Sequence, residues 1–377
     1  MPITLLAIAG TRPELVKLAP VIRAIKERGG GLAVKTVFSG QHVEILESVV
    51  ADFDVAPDVD LRVPMTPRTL SQTVAWLLEG LDKVVAELKP DGVIVQGDTN
   101  TAFVGALVAM HHKLPVFHVE AGLRTPDLLS PFPEEANRRL VGRIAALHFA
   151  PTDRAAANLV AEGIAEDVIH VTGNTGIDAL AVYAQRPSAE ADAILARLTP
   201  GSRRMLVTLH RRENQERVSE VTSAIRRLRM SHPDLEVVWI LHANGIRAKV
   251  IEGLEGVPGV HLLEPQPYGV FVHLMKAVDL VASDSGGVQE EAPVFGKPVL
   301  ILRDETERGE AVDAGCARLV GCDAGRIVAT AQWLLGDAEA YATMSRAKSP
   351  FGDGRASSAS SPRCSATSAS SPVDPAG

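Results

Sequence analysis

LVASDSGGVQEEAPVFGKPVLIL, from Leu280 to Leu302, joins two apolar runs through a pair of glycines. A short apolar run, Leu280 to Ala282, stops at Ser283 and Asp284. Gly286 and Gly287 then permit close backbone approach before a helix that carries Glu290 and Glu291. Gly296, Lys297 and Pro298 end that helix ahead of a second buried strand. The pattern is strand, glycine turn, helix, strand. It aims the unpaired N–H groups of the first helical turn outward, where the helix dipole stabilises an anion such as a diphosphate. A carboxylate one turn further in can accept both hydroxyls of a ribose. The same turn also serves as a plain connection in α/β folds, so the rest of the chain has to decide.

Outward from this stretch, apolar runs of strand length alternate with segments of helical periodicity along the whole chain, the βαβ signature of a mostly parallel sheet. Strands are expected at Thr4–Ala9, Val34–Phe38, Gly92–Val95, Val116–Val119, Leu147–Ala150 and Val168–Val171, then at Met205–Thr208, Val237–Leu241 and near Val260 and Leu280. Between Gln185 and Ser202 the chain turns polar, with Pro187 and Pro200 at its ends. The alternation therefore predicts two Rossmann-like domains, 1–184 and 203–355, joined by a linker at 185–202. From Ala356 to Gly377 serine, alanine and proline dominate and the one larger aliphatic residue is Val373, so 356–377 is expected to be a disordered low-complexity tail.

Composition narrows the function. With 377 residues, 46% of them hydrophobic, the chain can bury two cores. A net charge of −8 argues against a nucleic acid or an anionic membrane as the main partner, since both favour a basic face. Cys316, Cys322 and Cys364 form no CxxC pair and have no histidine at metal-ligand spacing, which points to ordinary reduced thiols. The N-terminus has no basic segment ahead of its apolar run, and no run is long enough to span a bilayer; a soluble cytoplasmic protein is expected.

Ligands of open α/β sheets bind outside the carboxyl ends of the strands, so residues just after each strand are the candidates. Arg12 and Lys17 follow the first strand, where two cations can hold phosphate or carboxylate or be plain surface charge. Asp98 lies in QGDTNT and Glu120 in EAGLRTPD, each at a strand end; a helix-cap role would also explain Asp98. Glu134 and Glu135 open a helix, where the dipole alone would favour them. His210, Arg211 and Arg212 crowd after the first strand of the second half, placed to neutralise a departing diphosphate or simply exposed. The predicted division of labour is a second half that grips an activated nucleotide and a first half that reacts.

Seven strings in order carry a more specific resemblance: GTRPE at Gly10–Glu14, GDT at Gly97–Thr99, HVEAGLRT from His118, PEEANR from Pro133, HRREN from His210, DSGGVQEEAP from Asp284 and TER at Thr306–Arg308. Over roughly residues 3 to 354 the chain resembles the non-hydrolysing bacterial UDP-N-acetylglucosamine 2-epimerases. The resemblance implies a GT-B-like fold, two Rossmann-type domains with mostly parallel sheets facing across a cleft. It also implies reversible inversion at C2 of UDP-GlcNAc to UDP-ManNAc, by elimination of UDP to 2-acetamidoglucal and re-addition, with no cofactor.

By the same resemblance Asp98, Glu120 and Glu134 do acid/base work, and His210 and Arg12 stabilise the leaving diphosphate. Ser285, Gly286 and Gly287 bind that diphosphate, Glu291 takes the ribose, Lys17 and Arg308 complete the polar lining, and Gln266 and Phe271 lie near the uridine. Gln41, His42, Arg68 and His242 match positions of a second site at which UDP-GlcNAc activates some members, and family members are commonly homodimers. Two positions depart from the family, Gly309 after Arg308 and Gly245 after Asn244, where proline is usual. The tail departs too: serine and alanine stand where the family forms a final helix, which suggests a frameshifted C-terminus. Two rival functions share the nucleotide grip, a GT-B glycosyltransferase and a catalytically inactive nucleotide-sugar binder.

Overall fold

The structure, a computed structural model, describes residues 3–40, 50, 52–62, 68–242 and 245–360. The chain divides into two compact units: one runs to Ala179 and resumes at Phe351, and the other is Leu180–Pro350.

The first unit is built on a parallel sheet of β1 (Ile3–Ala9), β2 (Leu32–Phe38), β3 (Val59–Asp60), β4 (Gly92–Gln96), β5 (Val116–Val119), β6 (Leu147–Ala150) and β7 (Ile169–Val171), in the order β3-β2-β1-β4-β5-β6-β7. Strands covered on both faces must be apolar throughout, and Leu5 to Ala9 are accordingly buried without a break. Four of the intervening helices begin at a threonine that follows a strand or loop: Thr11, Thr69, Thr99 and Thr152 each accept an N–H of the first turn. Such a cap is worth about 1 kcal/mol, and it fixes where each helix starts relative to the sheet edge.

The second unit repeats the plan with β8 (Arg203–Thr208), β9 (Leu235–Ile240), β10 (Val260–Leu263), β11 (Leu280–Ser283), β12 (Val299–Ile301) and β13 (Ala317–Leu319), ordered β10-β9-β8-β11-β12-β13 and again parallel. Its core joins Trp239, Leu280 and Leu300 of the sheet to Ile225, Leu228, Ile327 and Leu334 of the helices Val218–Ser231 and Ala324–Gly336. In both sheets the strand order reverses once, between β1 and β4 and between β8 and β11. Those reversals open the crevices in which doubly wound folds bind ligands. No helix among the described residues is long and apolar enough to cross a membrane.

Three expectations need correction. The stretch 185–202 is no linker: it contains the helix Ala189–Leu195, capped by Ser188, with Ala191 and Leu198 buried. That helix packs on the helix Tyr268–Ala277, and Tyr183 meets Tyr268 edge-on at 4.9 Å, so the unit boundary falls inside the helix Thr175–Gln185 instead. Polar composition misled because small alanines bury without looking hydrophobic.

The tail is likewise ordered at its start. Residues 356–360 are helical and belong with the first unit, with Ala356 and Ser360 buried; residues 361–377 lie outside the described part. Finally, the helix expected over Ala324 to Ser345 is two, Ala324–Gly336 and Ala338–Arg346, because the Asp337 carboxylate caps the second through the N–H groups of Glu339 and Ala340.

Candidate active site

At the carboxyl edge of the first sheet, the turn after β4 presents Asp98. Gly97 at φ 70° makes the turn possible, and its carbonyl accepts from Nε2 of the buried His118 at 2.8 Å. Burial pushes the His118 imidazole down to about 3, so it stays neutral and holds the turn as a plain donor. Arg138 grips Asp98 through one oxygen: Nε and Nη2 lie 2.8 and 2.7 Å from Oδ2. Asn137 donates to the Asp98 carbonyl at 2.9 Å. Oδ1 has no partner among the described residues, on a side chain that is 24% exposed.

Glu120 follows β5 at φ 62°, left-handed backbone that a side chain adopts at some cost. Its Oε2 accepts from Lys17 Nζ, from Gln96 at 3.1 Å and from Asn174 at 3.2 Å. Lys17 thus serves as the counter-charge of a carboxylate. Glu134 is the first residue of the helix Glu134–Ile144, and its Oε2 is buried without a hydrogen-bond partner among the described residues. A buried carboxylate oxygen left unpaired is costly, which makes Glu134 a candidate for a functional position rather than a plain dipole residue. Arg12 is half-buried at the first position of the helix Arg12–Arg28.

Between the turns after β1 and β4 sits Glu14, 1% exposed, which accepts the Gly10 N–H at 3.1 Å and the Thr99 hydroxyl at 2.6 Å. Burial outweighs these bonds and raises its carboxyl from 4.5 to about 7. The folded chain therefore binds this proton more tightly than the unfolded chain. The associated stability is fully present below about 4.5 and is lost as pH rises through about 7. At about 1.4 kcal/mol per pH unit, urea unfolding should show the wild type losing roughly 2–3 kcal/mol more than Glu14→Gln between pH ~5 and ~8. Parallel losses in the two forms would show that Glu14 is not the group responsible.

In the second unit the crevice between β8 and β11 brings His210 to Asp284. The Asp284 carboxylate is fully buried and accepts the backbone N–H groups of His210 and Arg211 and the Asn214 amide, while His210 Nδ1 lies 2.9 Å from its Oδ1. Burial pushes the Asp284 carboxyl upward, but the hydrogen bonds and the charge of His210 prevail and hold it below the ordinary range. Asp284 thus faces the Nδ1 side of the His210 ring.

The quoted stretch forms its glycine turn, but the helix is only Gly286–Glu291, because the following residues Ala292–Phe295 tighten into a 3₁₀ turn that contains Pro293. Ser285 stands at its N-cap without a side-chain cap bond, and Gly286 and Gly287 are its first residues. A side chain at Gly286 would reach 2.6 Å from Arg308 Nη1, so the glycine makes room for that guanidinium. Arg308 itself is buried and bonded to Glu290 at 2.6 Å and to Glu307. Arg303 and Arg211 also face Glu307. Burial raises the Glu307 carboxyl, yet the three arginines outweigh it and keep it well below the usual range. Glu291 accepts the Tyr268 hydroxyl at 2.7 Å; Phe271 lies on the same helix as Tyr268, and Gln266 donates to the Glu264 carbonyl.

Residues 23–359 match the family model described as UDP-N-acetylglucosamine 2-epimerase. The chain belongs to that family. A UDP-N-acetylglucosamine 2-epimerase of Escherichia coli K12 is 44% identical over 361 residues, covering 94% of this chain and 96% of that protein. A Neisseria meningitidis UDP-GlcNAc 2-epimerase crystallised with UDP-GlcNAc superposes with a TM-score of 0.90 at 40% identity, covering 95% and 98% of the two chains. A Methanocaldococcus jannaschii UDP-GlcNAc 2-epimerase in complex with UDP-GlcNAc and UDP gives a TM-score of 0.82 at 32% identity, covering 97% and 100%. The two Rossmann-type units are thus those of a GT-B-like epimerase fold.

Of the positions expected in this family for a second, activating site, His242 lies beside His210 with ring centroids 5.0 Å apart, and Arg68 lies over the Trp76 ring at 6.0 Å. Gln41 and His42 are outside the described residues, as is Asn244. Gly309 opens the short helix Gly309–Asp313, so the helix forms without the family's proline. Sequence reasoning missed the residues that hold the others: Arg138, Glu14, His118, Asn174, Tyr268 and Asp284. Glu14, His118, Arg138 and Asp284 stand inside quoted strings, and nothing in the strings tells which side chain a given residue holds.

Proposed function

We propose that this chain inverts the configuration at C2 of UDP-N-acetylglucosamine, reversibly giving UDP-N-acetylmannosamine. A carboxylate takes the C2 proton, the C1–O bond breaks with its electron pair passing to the β-phosphate oxygen, and 2-acetamidoglucal and UDP result. Re-addition of UDP with protonation from the opposite face gives the epimer. The C2 proton is weakly acidic, and a general base contributes on the order of 10²–10⁴ in rate, so stabilising the departing diphosphate has to supply much of the remainder.

The observation that carries this reading is Asp98, a carboxylate held by Arg138 through one oxygen while the other stands open. Glu120 and Glu134, at the same sheet edge, supply the second acid that protonation of the opposite face requires. In the second unit His210, backed by Asp284, stabilises the departing diphosphate, and Ser285, Gly286 and Gly287 bind it through hydroxyl and backbone; in the first unit Arg12 and Lys17 supply positive charge for the same substrate. Glu291 takes the ribose, and Gln266 and Phe271 flank the uracil. Arg308, buried beneath Gly286, contributes its charge from behind the turn. We further propose that UDP-GlcNAc activates through Gln41, His42, Arg68 and His242, and that the protein is a cytoplasmic homodimer. The test is conversion of UDP-GlcNAc in D₂O, followed by NMR: deuterium at C2 supports the epimerase, and product without exchange contradicts it.

A further inference from the structure

Glu120 is held by a residue that the proposed reaction does not use. Asn174 follows β7, is 2% exposed, and points its side chain at Glu120 Oε2, 3.2 Å away. Its orientation is fixed by its other end: Asn174 Oδ1 accepts the Gly176 N–H at 2.9 Å, so Nδ2 faces the carboxylate. A Cβ at Gly176 would lie 3.2 Å from Asn174 Oδ1 and 3.5 Å from Lys17 Cε, which puts the Lys17 stem against the same turn. Lys17, Gln96 and Asn174 thus close on one oxygen of Glu120 from three elements.

The turn that carries Asn174 is in turn clamped by the chain that comes back at Phe351. The Asn174 N–H donates to the Phe351 carbonyl at 2.7 Å, and the Phe351 side chain is fully buried. Gly173 and Gly352 meet back to back: a Cβ on Gly352 would stand 3.0 Å from the Gly173 Cα and 3.5 Å from the Asn174 nitrogen. One turn further on, the Asp178 carboxylate caps the helical residues 356–360, accepting the N–H groups of Ala356 at 3.1 Å and Ser357 at 2.9 Å and the Ser357 hydroxyl.

We infer that Asn174 is a positioning residue for Glu120 and that the returning segment Phe351–Ser357 holds Asn174 in place. The inference rests on the epimerase reading for its kinetic consequences, but the placement of Glu120 can be measured without turnover. Asn174→Asp keeps the shape and the acceptor for Gly176 while replacing the donor with an anion beside Glu120. Displacing a reacting group by about 1 Å costs on the order of 10²-fold. Asn174→Asp should therefore lower kcat about 10- to 100-fold with KM within about threefold of wild type. Asp178→Asn, which frees residues 356–357, should lower kcat about three- to tenfold, again at steady KM. A crystal structure of Asn174→Asp should show the Glu120 carboxylate moved from its wild-type place. An unmoved Glu120, or kcat unchanged in Asn174→Asp, overturns the positioning role. Unchanged kcat in Asp178→Asn overturns the role of the returning segment. A wild type without turnover would count against the epimerase reading alone, since the crystallographic comparison still decides the placement.

Discussion

Asp98→Asn is expected to lower kcat by roughly 10² to 10⁴ while UDP affinity stays within about tenfold. The asymmetry of the wild-type carboxylate explains why so small a change costs so much. Arg138 needs an acceptor at the Oδ2 position and finds it there at 2.7 and 2.8 Å. An asparagine satisfies Arg138 by turning its carbonyl oxygen to the guanidinium, and that leaves NH₂ where Oδ1 stood. The open position then donates and can no longer accept a proton. The residues proposed to bind UDP do not include Asp98, so UDP binding should be spared. Kinetics of both directions with calorimetric titration of UDP would check this, and a variant that still epimerises at wild-type rate removes Asp98 from the reaction.

Asp284→Asn should lower kcat on the order of 10²-fold and also destabilise the second unit by about 1–3 kcal/mol. In the wild type the carboxylate accepts from the His210 and Arg211 backbone and from Asn214, and stands 2.9 Å from the His210 ring. A carboxamide offers one oxygen to these donors and sets an NH₂ against the rest. A buried donor loses its partner, and His210 loses the carboxylate that stands against its ring while diphosphate departs. The two effects separate experimentally: urea unfolding reports the first, and kcat at saturating substrate reports the second. If kcat holds within about threefold while stability falls, Asp284 is a structural cap only.

Much of the fold was legible because its signals are local. Buried parallel strands are apolar without interruption, and threonines such as Thr11 and Thr99 mark helix starts. The same logic placed Asp98, Glu120 and His210 at strand ends. What strings could not show is which residues meet across the fold. Lys17 and Glu120 pair across 103 positions of sequence, and Asp284 receives His210 across 74. Pairing of that kind depends on strand order, and strand order leaves no mark at either residue. Lys17 and Arg308 show the effect: no string tells that Lys17 meets Glu120, or that Arg308 meets Glu290 and Glu307. The helix at 189–195 and the start of the tail helix failed for a different reason. Alanine and serine carry little hydrophobic signal, although both bury well where space is small.

In the proposed reaction, cleavage of the C1–O bond is coupled to proton loss at C2. That coupling can be followed by incubating the full chain with UDP-GlcNAc in D₂O and recording NMR spectra of both nucleotide sugars as they approach equilibrium. Deuterium is expected at C2 in the UDP-ManNAc formed and, through the reverse reaction, in the remaining UDP-GlcNAc, with 2-acetamidoglucal and UDP as by-products. Epimer that retains protium at C2, or no exchange at any concentration of UDP-GlcNAc, would contradict it.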